Sequence, residues 1–232
     1  ARRSESLQRI NAMVELARSH PHVARTVDAF DTHPLLLNFG NCTLDLSSGS
    51  WQTVAHRKQD LLTKRMGAVY DPNSTCPEWD AFLHDVLGGS NALVEYVQRA
   101  VGYTLTGLNH EHVMLLLIGL GRNGKSTFMD VFRHLLGSYA TIAEFSTFLE
   151  RKNDSIRNDL ARLRGARLVA ASEVGAGRRL DEALVKQLTG GDQITARFLR
   201  KEFFEYSPQF TIWLSANARP VIHGNDRGIW RR

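Results

Sequence analysis

Glycines, a lysine and two hydroxyl residues follow an apolar run in the stretch VMLLLIGLGRNGKSTFMD, residues 113–130. Its central part matches the pattern G-x-x-x-x-G-K-[ST]. In that pattern the glycines let backbone N–H groups point at phosphates, the lysine reaches the β- and γ-phosphates, and the serine hydroxyl binds Mg²⁺. The stretch therefore predicts a binding site for ATP and Mg²⁺. The predicted ATP-binding residues are Gly119, Leu120, Gly121, Arg122, Asn123, Gly124, Lys125, Ser126 and Thr127.

An ordinary strand–helix turn that needs glycines is the other interpretation of this stretch. At ordinary glycine usage the match arises by chance in on the order of one chain per hundred of this length. The apolar run before the loop and the helical pattern after it are the context that a phosphate loop requires. We therefore expect a phosphate loop, with Lys125 as its catalytic cation and Ser126 as a ligand of the metal.

Two polar residues that follow other apolar runs are candidates for the rest of an ATPase site. Glu173 comes just past the run in ARLVAASEV and is expected to act on the attacking water and near Mg²⁺, with Ser172 where an aspartate is usual. Asn217 follows FTIWLS, where an amide can orient the water or sense the γ-phosphate. Glu173 could also be a solvated charge at a strand end, and Asn217 an ordinary turn residue.

Three apolar runs alternate with helical patterns in the C-terminal half. The runs cover residues 113–118, 166–171 and 210–215, and the helices are expected from Lys125 to about Leu136 and over DEALVKQLTG. Alternation of this kind predicts an α/β fold with a parallel sheet, and continuous apolar runs predict strands that are buried on both faces.

The residues before this half show a different pattern, without long continuous apolar runs, and predict a smaller, mainly helical α+β domain. We expect a helix over residues 4–18, a hairpin of two short strands within 33–51, a helix from Pro77 to about Val86 and another over 91–104. The hydrophobic pattern changes after Thr106-Gly107. The predicted domains are therefore residues 1–108 and residues 109–232.

Composition narrows the class of protein. The chain has 232 residues, of which 43% are hydrophobic, and no apolar run is long enough to cross a bilayer. Its two cysteines lack C-x-x-C spacing, which fits a reducing cytoplasm. The net charge of +5 divides into −1 for residues 1–108 and +6 for residues 109–232. A polyanionic partner is therefore expected in the C-terminal half, although solubility explains a modest basic excess equally well.

These motifs, taken in order, resemble those of the superfamily III helicases. The closest likeness is to the primase–helicase family of poxviruses, satellite phages and plasmids. The C-terminal half carries the resemblance in GLGRNGKST, RLVAASE, KQLTGGDQITARFLRKEF, FTIWLSANARP and DRGIWRR. The N-terminal half resembles the domain that precedes the ATPase in that family, through LLLNFGNCTLDLSSG, LLTKRMGAVYDP, CPEWDAFL and VGYTLTG. In this family Ser172 is acceptable before the glutamate.

The resemblance implies a P-loop AAA+-like ATPase core that assembles into a hexameric ring around DNA. It implies hydrolysis of ATP with Mg²⁺ to translocate on single-stranded or forked DNA during replication of a mobile element. A primase domain often lies upstream, which would account for a chain that starts at Ala1, and the family continues beyond Arg232 into another core strand. For a phage or plasmid protein the expected location is the cytoplasm of the host cell.

The resemblance also assigns two groups of basic residues. ITARFLRKEFFEYSPQF alternates in residue type and then turns at Arg200-Lys201-Glu202, which predicts a hairpin before the third strand. The resemblance implies that Lys201 and Arg200 at its tip contact DNA. The end of the chain, DRGIWRR, is expected to supply an arginine finger to the neighbouring subunit, with Arg232 favoured over Arg231 by position. A solvated basic turn and a basic surface tail are the corresponding alternatives.

Proteins with two other functions also contain a phosphate loop of this kind. One is an ATP-dependent replication initiator or switch that binds DNA without processive unwinding. The other is a P-loop kinase acting on a small molecule, but neither a lid nor an acceptor pocket is evident between Leu136 and Arg167. The sequence therefore favours an ATP-dependent DNA helicase.

Overall fold

The structure is a computed structural model that describes residues 6–151, 157–172, 179–222 and 227–231. The helices are α1 (Leu7–Arg18), α2 (Pro77–Val86), α3 (Asn91–Thr106), α4 (Lys125–Leu136), α5 (Asn158–Ala161), α6 (Glu182–Gly190) and α7 (Arg227–Trp230). The strands are β1 (Leu36–Asn38), β2 (Thr43–Asp45), β3 (Gln52–Val54), β4 (Met114–Ile118), β5 (Ala140–Ile142), β6 (Leu168–Ser172), β7 (Ile194–Ala196), β8 (Phe204–Tyr206) and β9 (Thr211–Ala216).

The N-terminal half combines helices with a small antiparallel sheet. Strands β1 and β2 form the predicted hairpin, with Leu37 opposite Leu44, and β3 adds a third strand that the sequence did not indicate. Helix α2 begins at Pro77, as predicted. The Ser90 hydroxyl caps α3 by accepting a hydrogen bond from the Leu93 N–H at 3.4 Å, and α3 continues two residues past the predicted end.

The C-terminal half contains a four-stranded sheet in the order β4-β9-β6-β5, and every neighbouring pair is parallel. The predicted α/β class with a parallel sheet is therefore confirmed. Strand β5 was not predicted, because three residues are too few to show a pattern.

The prediction that every strand is buried on both faces is wrong for β4. Leu116 and Ile118 are exposed, whereas β9 is buried along its whole length. Leu115 and Leu117 pack against the core that contains Trp213, whereas on the opposite face of β4 Met114 packs against the other core and the residues beyond it are open to solvent.

Successive residues of β9 point to opposite faces of the sheet and divide the core in two. Trp213 faces α4, where it packs against Phe128 and Phe132. Ile212 and Leu214 face the other layer, which includes α6 and the hairpin β7–β8. The core around Trp213 also contains residues of β1 and β2, so the two halves of the chain share it. The boundary at residue 108 stays a prediction.

Hydrogen bonds between distant segments attach the N-terminal half to the sheet. The buried Trp213 Nε1–H donates to Thr104 Oγ1 at 2.9 Å. The Asn38 N–H donates to the Tyr139 hydroxyl at 3.1 Å, and burial raises the pKa of that hydroxyl.

Arg167, which precedes β6, is buried and donates from Nη2 to the His33 carbonyl at 3.1 Å. Burial also lowers the pKa of Arg167, whose starting value is high enough to keep it charged at neutral pH.

We expect Trp213→Phe to lower the free energy of unfolding by about 1–3 kcal/mol. The substitution replaces the indole of a residue that is only 2% exposed by a smaller ring, and it removes the hydrogen bond to the buried Thr104 hydroxyl. Urea denaturation measures the change. Trp51→Phe is the matched control, since Trp51 is exposed in the segment just before β3, and there a change of at most about 0.5 kcal/mol is expected. Equal effects of the two substitutions would contradict the assigned role of Trp213.

Candidate functional site

The loop between β4 and α4 is tightly wound and leaves little space at its two motif glycines. The Gly119 N–H donates to the Ala216 carbonyl at 3.3 Å and extends the pairing of β4 with β9. A Cβ atom at Gly119 would lie 1.9 Å from Asn123 Nδ2. Gly124 has φ +79°, and a Cβ atom there would lie 2.5 Å from Val86 Cγ1 of α2. The positive φ of Gly124 therefore requires glycine, whereas a side chain at Gly119 would displace the side chain of Asn123, which bonds Lys125.

The side chain of Lys125 lies against the loop. Its ammonium group donates hydrogen bonds to the carbonyls of Gly119 and Leu120 and to Asn123 Oδ1, the last at 2.8 Å. Lys125 is also the first residue of α4, so the N–H groups of residues 125–127 have no carbonyl within the helix to bond. A lysine ammonium and three helix N–H groups are the donor set that a phosphate needs.

The remaining loop residues surround this donor set. Ser126 and Thr127 are exposed on the first turn of α4. Arg122 is exposed and has φ +64°, a conformation that non-glycine residues seldom adopt. Leu120 is exposed, and a Cβ atom at Gly121 would meet no atom within 4 Å. Gly121 is therefore not required by packing, unlike Gly124.

The carboxyl ends of β4, β9 and β6 meet at the edge of the sheet that carries this loop. Leu117 and Ser172 both lie opposite Ser215 of β9. Asn217 directly follows β9 and is exposed next to the loop. Glu173 lies outside the described residues, and Ser172 before it is the last residue of β6. The structure thus brings Asn217 and the residue before Glu173 to the loop edge.

A cavity of about 610 Å³ lies beside the loop, between α4 and the ends of β5 and β6. Ser126, Ser172 and Ser215 contribute hydroxyl groups to its wall. Glu144, which comes just after β5, contributes an exposed carboxylate. Glu144 was not predicted because β5 was not predicted, although an acidic residue directly after a short apolar segment was the available signal.

The predicted hairpin is confirmed by β7 and β8, which pair antiparallel with Ala196 opposite Phe204. The turn closes with a hydrogen bond of 3.1 Å from the Lys201 N–H to the Phe198 carbonyl. Arg200 lies at the tip with φ +60°, and both Arg200 and Lys201 are exposed. Two cations therefore project from a short turn.

The hairpin lies at the opposite end of the sheet from the loop. The Tyr206 hydroxyl of β8 donates to the Leu160 carbonyl at 2.7 Å, and α5, which contains Leu160, precedes β6. The chain then runs from β8 into the amino end of β9. The six residues of β9, at about 3.3 Å each, span about 20 Å before Asn217. One strand therefore connects the hairpin to the loop edge.

The two candidate arginine fingers lie at the end of the chain. Helix α7 lies against α6 and buries Ile229. Arg231 follows α7 and is exposed. Arg232 lies outside the described residues, so its predicted role stays a prediction, as does that of Arg231.

No group of three or more His, Cys, Asp or Glu side chains in the part of the chain that the structure describes is arranged to hold a metal ion. Within the same residues, no helix combines the length and the apolar character that a membrane crossing needs.

Two family models match the sequence. The model described as "D5 N terminal like" matches residues 1–88. The model described as "Family of unknown function (DUF5906)" matches residues 117–232, which include the glycine loop, the hairpin and the last strand of the sheet.

Viral proteins are among the curated relatives. A protein of Acanthamoeba polyphaga mimivirus named "Putative helicase" is 29% identical over 208 residues, which cover 87% of this chain and 21% of the relative. A Frog virus 3 protein with the same kind of name is 31% identical over 58% of this chain and 14% of its own length. An African swine fever virus protein named "Putative primase" is 24% identical over 89% of this chain and 22% of its own length. The chain thus spans about a fifth or less of these relatives.

Among solved structures, the A form apo structure of the NrS-1 C-terminal region is similar with a TM-score of 0.50. The identity is 10%, and the match covers 84% of this chain and 60% of that chain. At this identity the similarity concerns the fold.

The class defined by the fold is an α/β protein with a parallel four-stranded sheet and a glycine loop at the carboxyl edge of its strands. The model that matches residues 117–232 covers half of the chain, which therefore belongs to the DUF5906 family. The D5 N-terminal-like match over residues 1–88 and the viral relatives support a primase–helicase family.

Proposed function

We propose that the chain is the ATP-driven DNA-unwinding part of a replicative primase–helicase. The observation that carries this proposal is the path of β9. This strand begins next to a hairpin with two exposed cations and ends at Asn217 beside the glycine loop. A change at the nucleotide therefore reaches the hairpin through one rigid element of the sheet.

The protein core is of the AAA+ type, and its glycine loop is a P-loop. The donor groups of this loop fit the phosphates of ATP, which is the substrate. Lys125 leaves its loop carbonyls and donates to the β- and γ-phosphates, and the N–H groups of residues 125–127 bond the phosphate oxygens. Ser126 and Glu173 would hold Mg²⁺, which would supply positive charge against the charge that develops on the phosphate oxygens. Glu173 also accepts the proton of the attacking water, which Asn217 orients.

DNA binds at the other end of the sheet. Lys201 and Arg200 contact backbone phosphates, and the excess of positive charge in residues 109–232 draws the polyanion to this half of the chain. Contacts to phosphates carry little sequence information, which suits a motor that must move along any sequence.

Assembly into a hexameric ring completes the proposal. In such a ring Arg232 or Arg231 of one subunit reaches the ATP of the next, so hydrolysis requires two subunits. The DNA is then single-stranded or forked, and it passes the hairpins in the centre of the ring.

The rate of ATP hydrolysis with and without single-stranded DNA tests this function, together with strand displacement on a forked duplex. Strong stimulation by DNA and displacement that requires ATP are expected. Stimulation without displacement at any concentration of protein would favour an initiator or switch. Transfer of phosphate from ATP to a small acceptor, without an effect of DNA, would contradict the proposal and favour a kinase.

We expect Lys201→Ala to reduce the ratio of DNA-stimulated to basal ATP hydrolysis and to weaken binding of single-stranded DNA similarly for all sequences. The side chain contacts a phosphate, so the slope of log affinity against log salt should become shallower by roughly 0.7, the value for one phosphate of a single strand. Fluorescence anisotropy at several salt concentrations measures the slope. Lys58→Ala, at an exposed lysine of the N-terminal half, is the control and should change neither quantity. An unchanged slope in Lys201→Ala would show that the hairpin turn is only solvated.

A further inference from the structure

The hairpin tip exposes apolar side chains as well as cations. Phe198 is 44% exposed, Leu199 is 66% exposed and Phe203 is 60% exposed. These three residues flank Arg200 and Lys201 on either side of the turn. Single exposed apolar residues are common on protein surfaces, but three within six residues are an unusual concentration.

Phe203 is held in place by an arginine across the hairpin. The register of β7 and β8, continued beyond the Ala196–Phe204 pair, brings Arg197 opposite Phe203. The guanidinium carbon of Arg197 lies 4.5 Å from the centre of the Phe203 ring. This cation–π contact covers one face of the ring and fixes its orientation, while more than half of the residue stays open to solvent. Phe203 is therefore a preorganised flat surface.

The neighbouring aromatic residues pack on the opposite face of the hairpin. Phe198 stacks on Phe204 with ring centres 5.8 Å apart and an angle of 27° between the planes. Phe204 in turn contacts Tyr206 and carries the guanidinium of Arg164 at 5.3 Å from its ring. This row anchors the hairpin to the protein. Phe203 has no part in it, so packing of the hairpin does not account for an aromatic residue at that position.

The residues of the turn are not those expected where a turn only has to connect two strands. Arg200 has a positive φ, where glycine or asparagine is usual, and an apolar side chain precedes it. An exposed aromatic ring beside two cations matches the chemistry of an unstacked base beside two phosphates, because proteins that bind single strands combine basic grooves with stacking aromatic residues. The bases of a duplex are already stacked on each other and offer no free face inside the helix.

We propose that Phe203 stacks on a base of single-stranded DNA while Lys201 and Arg200 contact the neighbouring phosphates. The inference rests on the proposed function, since it assumes that the hairpin is the DNA contact, and it adds the part of DNA that is recognised. The hairpin thus selects a single strand over a duplex by the exposed face of its bases.

Abasic DNA tests this inference directly. Fluorescence anisotropy is used to compare the affinity of the protein for an oligothymidylate and for an oligonucleotide of the same length whose central sugars carry no base. Both have the same phosphates. We expect the abasic strand to bind on the order of tenfold to a hundredfold more weakly, which is the size of stacking on one base.

The variant Phe203→Ala connects the effect to the ring. It should lose affinity for oligothymidylate by about the same factor, and it should bind the abasic strand as the unaltered protein does. Phe203→Trp should restore the preference for bases. The salt dependence of binding should stay unchanged in Phe203→Ala, because no phosphate contact is lost. Tyr96→Ala, at an exposed aromatic residue of α3, is the matched control and should bind both strands normally.

Equal affinity of the unaltered protein for the two strands would overturn the inference, and this comparison does not depend on the folding of any variant. If Lys201→Ala still loses DNA stimulation in that case, the proposed function stands without base stacking. If instead binding depends on bases and on Phe203 but DNA does not stimulate ATP hydrolysis, the inference stands and the motor function fails. A preference for bases that persists in Phe203→Ala would also overturn the inference, because another residue would then supply the stacking surface.

Discussion

Lys125→Ala is expected to slow ATP hydrolysis by about 10²- to 10³-fold or more, the usual effect of removing one preorganised donor to the charge of a transition state. The ammonium group of Lys125 is held above the loop by the carbonyls of Gly119 and Leu120 and by Asn123. It therefore already lies next to the place that the proposed function gives to the phosphates. Alanine leaves the loop glycines and the helix N–H groups in place but removes the full positive charge, so nucleotide binding should weaken as well.

Steady-state phosphate release and binding of a fluorescent ATP analogue measure the two effects. Glu173→Gln provides the contrast, since it keeps the shape and loses the base, and it should bind ATP normally but hydrolyse it much more slowly. Lys58→Ala should leave both quantities unchanged. Normal hydrolysis by Lys125→Ala would contradict a phosphate loop at residues 119–126. Normal hydrolysis by Glu173→Gln would only remove Glu173 from the catalytic role.

Arg232→Ala is expected to abolish hydrolysis without preventing ATP binding. In other P-loop enzymes an arginine supplied by a neighbouring molecule contributes roughly 10³–10⁵ in rate, because its guanidinium stabilises charge on the transferred phosphoryl group. The planar group can grip two oxygens, which lysine cannot do, so Arg232→Lys should restore little activity. Arg231→Ala is the matched control one residue earlier, and the larger loss identifies the finger.

A mixing experiment separates a finger from a residue that acts within its own subunit. Rings assembled from Arg232→Ala and Lys125→Ala subunits should regain some hydrolysis, since an intact loop of one subunit meets an intact arginine of the next. The measurement is made on a longer protein whose ring assembly has been verified by sedimentation. Mixed rings without any activity would contradict a contribution between subunits.

Local patterns in the sequence were sufficient for most helices and for both hairpins. Pro77 at the start of α2, Ser90 before α3 and Asp181 before α6 are signals that act on the residues next to them. The glycine loop is local in the same way. Gly124 adopts φ +79° as the residue before α4, a conformation that glycine accepts without strain. The order of loop, strand-end polar residues and basic hairpin could therefore be read along the chain.

The order of the strands could not be read in this way, because it depends on contacts between residues that are far apart in sequence. The run at residues 113–118 is as apolar as that of β9, yet the first becomes an edge strand with exposed leucine and isoleucine while the second is fully buried. Strand β5 shows no pattern of its own and forms because it pairs with β6. Glu144 reaches the cavity beside the loop only through that pairing.

The separation of the two candidate sites also depends on tertiary structure. In the sequence the hairpin and Asn217 are close neighbours, but the intervening β9 is extended and carries them to opposite ends of the sheet. The adjacent residues Phe203 and Phe204 have the same chemistry, and the alternation of a strand requires only that they face opposite sides. Packing against Phe198 and Arg164 decides that Phe204 is the anchored ring, which leaves Phe203 exposed beside Arg197.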